Sequence, residues 1–573
     1  MSCSEIIQSN DIYDFIVSSD ERNTPLIEPV CVQSINEEYA ILYYDRSSVP
    51  SLSIGTYSYT SIPKIFSLMD STSLEVSGIL AIQNQPNLAL KGEGVLIGII
   101  DTGIDYTNPL FRDTDGSTRI VSIWDQTAVT EGQVNGDGSL SGFPGAQGQE
   151  FLYGVEYTRE QINEALNSES PQVLVPQTDT NGHGTYMASI AAGSIDPAND
   201  FVGAAPLSEL VVVKLKEAKQ NLREFFYLSE TEPLYQENDI MAGVAYLEMV
   251  ARREQKPMVI LLGVGSNQGS HTGAGPLSIL LDDIGAQSGR VIVVPAGNEA
   301  ATQHHFFGEA NSALTPVTVE INVEEGIPGF CMELWSYAPE LVRVIVQSPT
   351  GQRSQGGFPI SEETQTTNFV FENTELTLDY NIAGKESGDL VIFFRFSRPV
   401  EGIWTVFVYP VNAITGAFHM WLPIQPLVGQ NIRFIQSNPD TTITTPGMTE
   451  LAITAGGYNG LTGARDLQSG RGFSGTGQVK PEFCAPSVEV TGANLRGGYT
   501  QRTGTSGAAA ITAGAAALVL EWARRRGIAP NMNSVEVKNF LIRGCERENT
   551  MSYPNTEWGY GKLDVYQAFL VLR

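Results

Sequence analysis

Four short runs of uninterrupted apolar residues constrain this chain most: Val95-Leu-Ile-Gly-Ile-Ile100, Leu210–Val213, Met258–Leu262 and Val291–Val294. A strand with one wet face alternates apolar and polar residues, whereas a run that is apolar throughout belongs to a sheet buried on both faces. Segments of helical period lie between the runs, such as Asp239–Arg253, where Ile240, Val244 and Leu247 share a face. The alternation predicts an α/β domain, a parallel sheet with helices on both faces. Ligands of such sheets bind beyond the carboxyl ends of strands. That places weight on Asp101, which ends the first run, and on Asn298, just past the fourth.

Two other textures flank and interrupt this pattern. Residues 1–70 read as a small α+β unit with strands at Tyr13–Val17 and Ala40–Tyr44. From 313 to 434 the pattern is β throughout. Val317-Thr-Val-Glu-Ile-Asn-Val323 alternates cleanly, and Phe330–Tyr337, Leu341–Gln347, Phe369–Ile382, Asp389–Arg398, Gly402–Val411 and Ala417–Ile424 are further strand candidates. Such a set without helices predicts a β-sandwich or jelly roll. It reads as an insert, because α/β texture returns at Glu450–Gly456. The division is therefore 1–70, 71–312, 313–434 and 435–573, the last part holding helices at Ser506–Gly527, Val535–Gly544 and Val565–Leu572.

The 573 residues carry a formal net charge of −30, which repels nucleic acid and anionic membrane surfaces. Five scattered cysteines (Cys3, Cys31, Cys331, Cys484, Cys545) without a CxxC pair argue against a disulfide framework or a zinc site. The first residues lack the basic and apolar regions of a secretory signal. Apolar stretches such as Ala508–Leu520 are too short to span a bilayer. A reducing, cytoplasmic compartment without membrane insertion is the expectation.

Gly504-Thr505-Ser506 presents one hydroxyl and opens directly into the Ala-rich run Gly507–Leu520. A hydroxyl at a helix N-terminus has free N–H groups and the positive dipole end beside it. Alone, Ser506 reads equally well as an N-cap, His183 in Asn181-Gly-His-Gly-Thr185 as a structural histidine, and Asn298 in Pro295-Ala-Gly-Asn-Glu299 as a turn residue. Together they supply what acyl hydrolysis needs: a hydroxyl nucleophile, an imidazole to take its proton, a carboxylate (Asp101) to hold the imidazole, and an amide donor for the oxyanion. The chain order Asp, His, Ser is that of subtilisin.

The segments IIDTGID, NGHGT, PAGNE and GTSGAAA resemble the four signature blocks of the subtilisin-like (S8) serine peptidases. Gly203-Ala-Ala-Pro206, Lys480-Pro-Glu-Phe-Cys-Ala-Pro486 and Trp558-Gly-Tyr-Gly561 support the resemblance, which covers about 71–312 and 435–573. It implies Ser506 as nucleophile, His183 as general acid/base, Asp101 as its orienting partner, and Asn298 with the Ser506 N–H as oxyanion hole. Gly507 and Ala510 stand where the family usually has Met and Pro. Leu261-Leu-Gly-Val-Gly265 replaces the usual polar substrate strand, leaving backbone pairing through Gly263, Val264 and Gly265.

The β-rich insert and Gly265–Gly273 look most like the clostridial germination-type (Csp) subtilases. That branch implies an N-terminal prodomain acting as a chaperone at 1–70, a jelly-roll insert, and self-cleavage near Met69, Asp70, Ser71 or Thr72. It also implies a cytoplasmic or spore-associated location. The implied partners are protein or peptide substrates and the chain's own prodomain, whose retention after cleavage stays open, with no cofactor and no metal. Some relatives have lost triad residues, so a catalytically silent regulatory or binding protein is the alternative. A carbohydrate-binding insert is a third reading, on fold analogy alone. His271, the His304-His305 pair, a Ca²⁺ loop at Asp196–Asp200, His419 as a strand-surface residue and Cys484 as a small core residue complete the candidates.

Overall fold

The computed structural model describes residues 3–18, 27–68, 77–128, 143–144, 150–228, 232–356, 364–383, 388–495, 497–527 and 532–571. The candidate self-cleavage positions Met69, Asp70, Ser71 and Thr72 lie outside these described residues.

Eight strands form the central sheet: β1 (Leu96–Asp101), β2 (Ile120–Asp125), β3 (Val155–Thr158), β4 (Glu209–Lys214), β5 (Met258–Leu262), β6 (Arg290–Pro295), β7 (Ile453–Tyr458) and β8 (Phe483–Pro486). Their spatial order is β8-β7-β6-β5-β1-β4-β2-β3. Neighbours are parallel except for the antiparallel edge pair β2–β3. The central strands β1, β5 and β6 are buried along their whole length, which is why they are apolar almost throughout, whereas the edge strand β3 (VEYT) alternates. Ile97 and Ile99 enter one core with helices α1 (His183–Ala192) and α4 (Thr505–Arg526). Leu96 and Ile100 enter the other, with α2 (Glu237–Glu254) and α3 (Pro276–Gly285).

Helix α4 is longer than its apolar run suggests. Among the described residues it is the one helix long and apolar enough to cross a membrane, yet 94% of its apolar window is buried inside the protein. Its small residues serve close packing: a Cβ on Gly514 would lie 2.2 Å from the Ala204 Cβ. The Ala/Gly composition thus reports helix contact, not lipid.

The N-terminal strands Ile12–Ser18, Cys31–Ser34 and Tyr39–Asp45 form an antiparallel sheet with Tyr39–Asp45 in the middle. Ile12, Ile16, Ile41 and Tyr43 join the core under α2 and α3. Tyr13, Phe15, Leu42 and Tyr44 face the other way, into a core shared with Cys331, Trp335, Phe393 and Trp421 of the β-rich region. The expectation of no disulfide is corrected here. Cys3 and Cys31 are bonded, with Cα atoms 5.6 Å apart and 28 residues of separation. The fold brings the helix Cys3–Gln8 beside the strand Cys31–Ser34, a proximity that cysteine spacing does not reveal. Cys331, Cys484 and Cys545 are buried free thiols.

The β-rich region contains a six-stranded and a four-stranded antiparallel sheet enclosing a common core of residues such as Phe330, Leu376, Phe394, Trp404 and Val406. The larger sheet takes in His305–Glu309, paired with Ala417–Trp421. The segment expected as one strand over Phe369–Ile382 is a hairpin, Thr364–Phe369 against Thr374–Ala383. Asn373 adopts a left-handed φ of 52° at its turn, a conformation asparagine tolerates and an unbroken apolar-polar count cannot detect.

Candidate active site

Asp101 ends β1 and is fully buried, as is Ser506, and His183 is 1% exposed. One Asp101 oxygen accepts the Thr102 N–H at 2.7 Å. His183 opens α1, and its Nδ1 lies 2.8 Å from both Asp101 carboxylate oxygens. Its Nε2 lies 3.2 Å from the Ser506 Oγ. One imidazole therefore connects a buried carboxylate to a buried hydroxyl through its two nitrogens. In this arrangement Nδ1–H donates to Asp101 and Nε2 can accept the serine proton.

Local backbone conformation puts each group in place. Ser506 is the second residue of α4, and Gly504 before it has φ 147° and ψ 170°, a region essentially reserved for glycine. Gly507 and Ala510, the two departures from the usual family residues, are buried in the same helix. Asn298, half-buried in the turn after β6, has its Oδ1 anchored by the Thr505 N–H at 3.0 Å and the Thr505 hydroxyl at 3.2 Å. Thr505 Oγ1 in turn accepts the Gly297 N–H at 3.0 Å. With the oxygen so held, the amide presents Nδ2 as its donor beside the Ser506 helix terminus.

Gly263 was expected on the substrate strand, and a second requirement meets it here. A Cβ at this position would fall 2.1 Å from an Asp101 oxygen and 3.0 Å from His183 Cε1, so only glycine leaves room for the Asp–His pair. Val264 and Gly265 form the next short strand, and it is occupied: Val264 pairs with Leu68 and Gly265 with Ser67, antiparallel. On the other side, Ile65 and Phe66 pair with Gln236 and Tyr235. The chain's own segment Ile65–Leu68 is thus the middle strand of a three-stranded ribbon that adjoins Gly263 through Val264. Phe66 is fully buried. The segment's entrance is held by Lys64, whose ammonium donates to the carbonyls of Tyr59 at 2.7 Å and Ile62 at 2.6 Å. The Lys64 N–H meets Glu237 at 3.2 Å. Burial holds the Glu237 carboxyl above its usual range and the Lys64 ammonium below its own.

Sequence reasoning missed Asp179. Its Oδ1 accepts the Thr102 hydroxyl at 2.9 Å and the N–H groups of Asn181 and Gly182 at 3.1 and 2.7 Å. Its Oδ2 accepts the Thr185 N–H at 3.0 Å and hydroxyl at 2.7 Å. One carboxylate therefore ties the loop after Asp101 to the turn that carries His183. An Asp four residues before that histidine, among Thr, Asn and Gly, was the available signal.

Other candidates sit elsewhere. Asp196 spends its carboxylate on the Tyr499 hydroxyl at 2.6 Å and the Asn199 amide at 2.7 Å. His419 is not a plain strand-surface residue. Its ring stacks on Trp421 and its Nδ1 lies 2.9 Å from His305 Nε2, because strand Ala417–Trp421 is paired on both edges. His271 stacks on the same indole, 3.9 Å between centroids. Burial pushes His271 down to about 4 and His419 to about 3.

With this geometry in view, the family model described as the subtilase family matches residues 92–329 and 429–561, more than half of the chain. The chain belongs to the subtilase family. The resemblance carried by the four sequence blocks is thereby borne out. The solved structure of the Clostridium perfringens CspB protease is similar at a TM-score of 0.75 and 28% identity, covering 87% of this chain and 96% of that one. Subtilisin-like protease SBT2.2 of Arabidopsis thaliana is 39% identical over 105 residues, 18% of this chain and 11% of that protein. A PII-type proteinase of Lacticaseibacillus paracasei is 22% identical over 301 residues, 50% of this chain and 14% of that protein. The chain thus spans a small fraction of the length of these two curated subtilase relatives.

Proposed function

We propose that this subtilase is a serine endopeptidase that hydrolyses peptide bonds through Ser506, His183 and Asp101, and that it first cuts its own chain. The observation that carries the reading is the buried relay from Asp101 through His183 to Ser506, at 2.8 and 3.2 Å, beside a cleft strand already paired with residues 67 and 68. In the reaction His183 Nε2 takes the proton from Ser506 as Oγ adds to the scissile carbonyl carbon. The oxyanion receives hydrogen bonds from Asn298 Nδ2 and the Ser506 N–H. The imidazolium, stabilised by Asp101, then gives its proton to the leaving amine. Water repeats the sequence on the acyl-enzyme and restores the serine.

The segment Ile65–Leu68 in the cleft supports self-cleavage near Met69–Thr72, with residues 1–70 as a prodomain. Its burial on two faces, against α2 and α3 and against the β-rich insert, supports retention after the cut. The catalytic domain is then 71–312 plus 435–573, and 313–434 is a jelly-roll-like insert. Protein or peptide substrates follow from the cleft's strand pairing. Intact-mass measurement of wild type and Ser506→Ala tests self-cleavage. A wild-type mass short of full length, with Ser506→Ala uncut, is expected. Equal full-length masses would sink the idea.

One observation favours the alternative of a silent scaffold: the side chains of Asp101, His183 and Ser506 are buried, and the short strand Val264–Gly265 is paired with the chain's own Ser67 and Leu68. Fluorophosphonate labelling separates the two. Labelling of folded wild type that is lost in Ser506→Ala supports the enzyme, and unlabelled folded wild type supports the scaffold.

A further inference from the structure

Glu299 follows the candidate oxyanion residue and is 2% exposed. Carboxyl oxygens at that depth are costly unless they accept hydrogen bonds, and here they do, from groups in three separate parts of the fold. The Gln425 N–H, where the β-rich insert returns to the catalytic domain, lies 3.1 Å from Oε1 and 3.2 Å from Oε2. The Thr302 hydroxyl lies 3.0 Å from Oε2 and also reaches the Glu299 carbonyl at 2.8 Å. Asn267 Nδ2, in the loop after the cleft strand, lies 3.4 Å from Oε2 and 3.1 Å from the Leu422 carbonyl of the insert. The buried His304 stands with Nδ1 3.3 Å from Oε2, and its backbone carbonyl accepts the Leu422 N–H at 2.9 Å.

The turn bearing Asn298 is therefore gripped from two sides. The nucleophile helix holds Asn298 itself through Thr505, and the insert holds the next residue through Glu299. We infer that Glu299 is a positioning residue through which the β-rich insert sets the orientation of Asn298. This rests on the proposed reading of Asn298 as the oxyanion donor. It gives the insert a part in catalysis at a distance from the reacting atoms. An oxyanion donor acts only if it is preorganised where charge develops, so loosening the turn lowers turnover and leaves substrate strand pairing intact.

A double-mutant cycle on the processed enzyme tests this, using a fluorogenic peptide of residues 62–72 as probe. Glu299→Gln keeps the size and turns one carboxylate oxygen into an NH₂ that confronts the Asn267 amide. It is expected to lower kcat about 10-fold with KM within about 2-fold, while Asn298→Ala lowers kcat about 10²–10³-fold. In the Asn298→Ala background Glu299→Gln should have no further effect, because its path to the chemistry is gone. A second variant, Gln425→Pro, removes the insert's N–H without touching the turn. Gln425 is the first residue of a one-turn helix, and Ile424 before it is extended at φ −57° and ψ 152°, so proline is accepted there. It should lower kcat about 3-fold in the same pattern, and it carries the test if Glu299→Gln fails to fold. Unchanged kcat in both variants, or the same loss with and without Asn298, overturns the inference. If Asn298→Ala itself leaves kcat unchanged, the oxyanion reading falls first.

Discussion

Around Ser506 the chain is rich in glycine and alanine, and the candidate site's polar side chains Asp101, His183, Asn298 and Thr505 stand among them. At the seam where residues 3–68 meet α2 and the β-rich region, polar groups are instead buried in interlocking sets. Asp14 takes hydrogen bonds from Lys219, Gln236 and Asn238. Glu333 takes them from the Tyr59 hydroxyl, the Trp335 indole and the Gly269 N–H, and burial holds its carboxyl above the usual range. The two regions solve different problems. A reaction centre needs backbones close together and few atoms in the way. A docked N-terminal unit needs a seam that fits one partner in one orientation, and buried polar groups penalise every misfit.

The contrast can be broken at the seam first. Lys219→Met leaves Asp14 buried without its charge partner, and unpairing a buried ion typically costs about 3–5 kcal/mol. Urea unfolding should report that loss, with peptide hydrolysis by the folded fraction little changed. If stability is unaltered, the seam is not held by its charges.

At the reaction centre, Asp179→Asn puts a donor against N–H groups that now find an acceptor. The loop after Asp101 and the turn before His183 lose their common anchor, and misplacement of such groups costs about 10²-fold in kcat. Stopped-flow or steady-state rates on the 62–72 peptide check this. A loss of stability without a loss of kcat would assign Asp179 to the fold alone.

The smallest effect concerns the stacked histidines His271, His305 and His419, where the β-rich region meets the loop after Val264–Gly265. His271 is pushed down to about 4 and His419 to about 3 by burial, in a stack with His305 and Trp421. A folded pKa below the unfolded value of about 6.5 means stability is present above that pH and is lost as pH falls toward the folded value. Between pH 7 and 5 His271 alone should cost about 2 kcal/mol. Thermal melts across that range should show the decline, and His271→Phe should make it shallower, with the remainder left to His419 and His305. A melt independent of pH in both proteins would remove the histidines from any role in this joint.

Much of the candidate site was legible in the chain because each part of it is local. Asp101 is recognisable at a strand end, His183 between glycines, Ser506 at the start of a small-residue helix. The parallel sheet was legible too, since two-sided burial writes itself as continuous apolar runs. The hairpin within 364–383 was not legible because its turn, residues 370–373, holds no glycine or proline and only Asn373 marks it. The Cys3–Cys31 bond, the anchoring role of Asp179, the environment of His419 and the grip of the insert on Glu299 were not legible. Each depends on groups that meet only after strands pair.

By itself, then, the sequence determined the sheet, the family and the candidate site residues Asp101, His183, Asn298 and Ser506, in the order in which the chain supplies them. Those follow from periodicity and from residue chemistry within a few positions. The tertiary structure alone decided which segment pairs with Val264–Gly265, that Gly263 must lack a side chain, and how Gln425 of the β-rich region reaches Glu299 beside Asn298. These are distances between residues far apart in the chain, and only the packed fold sets them.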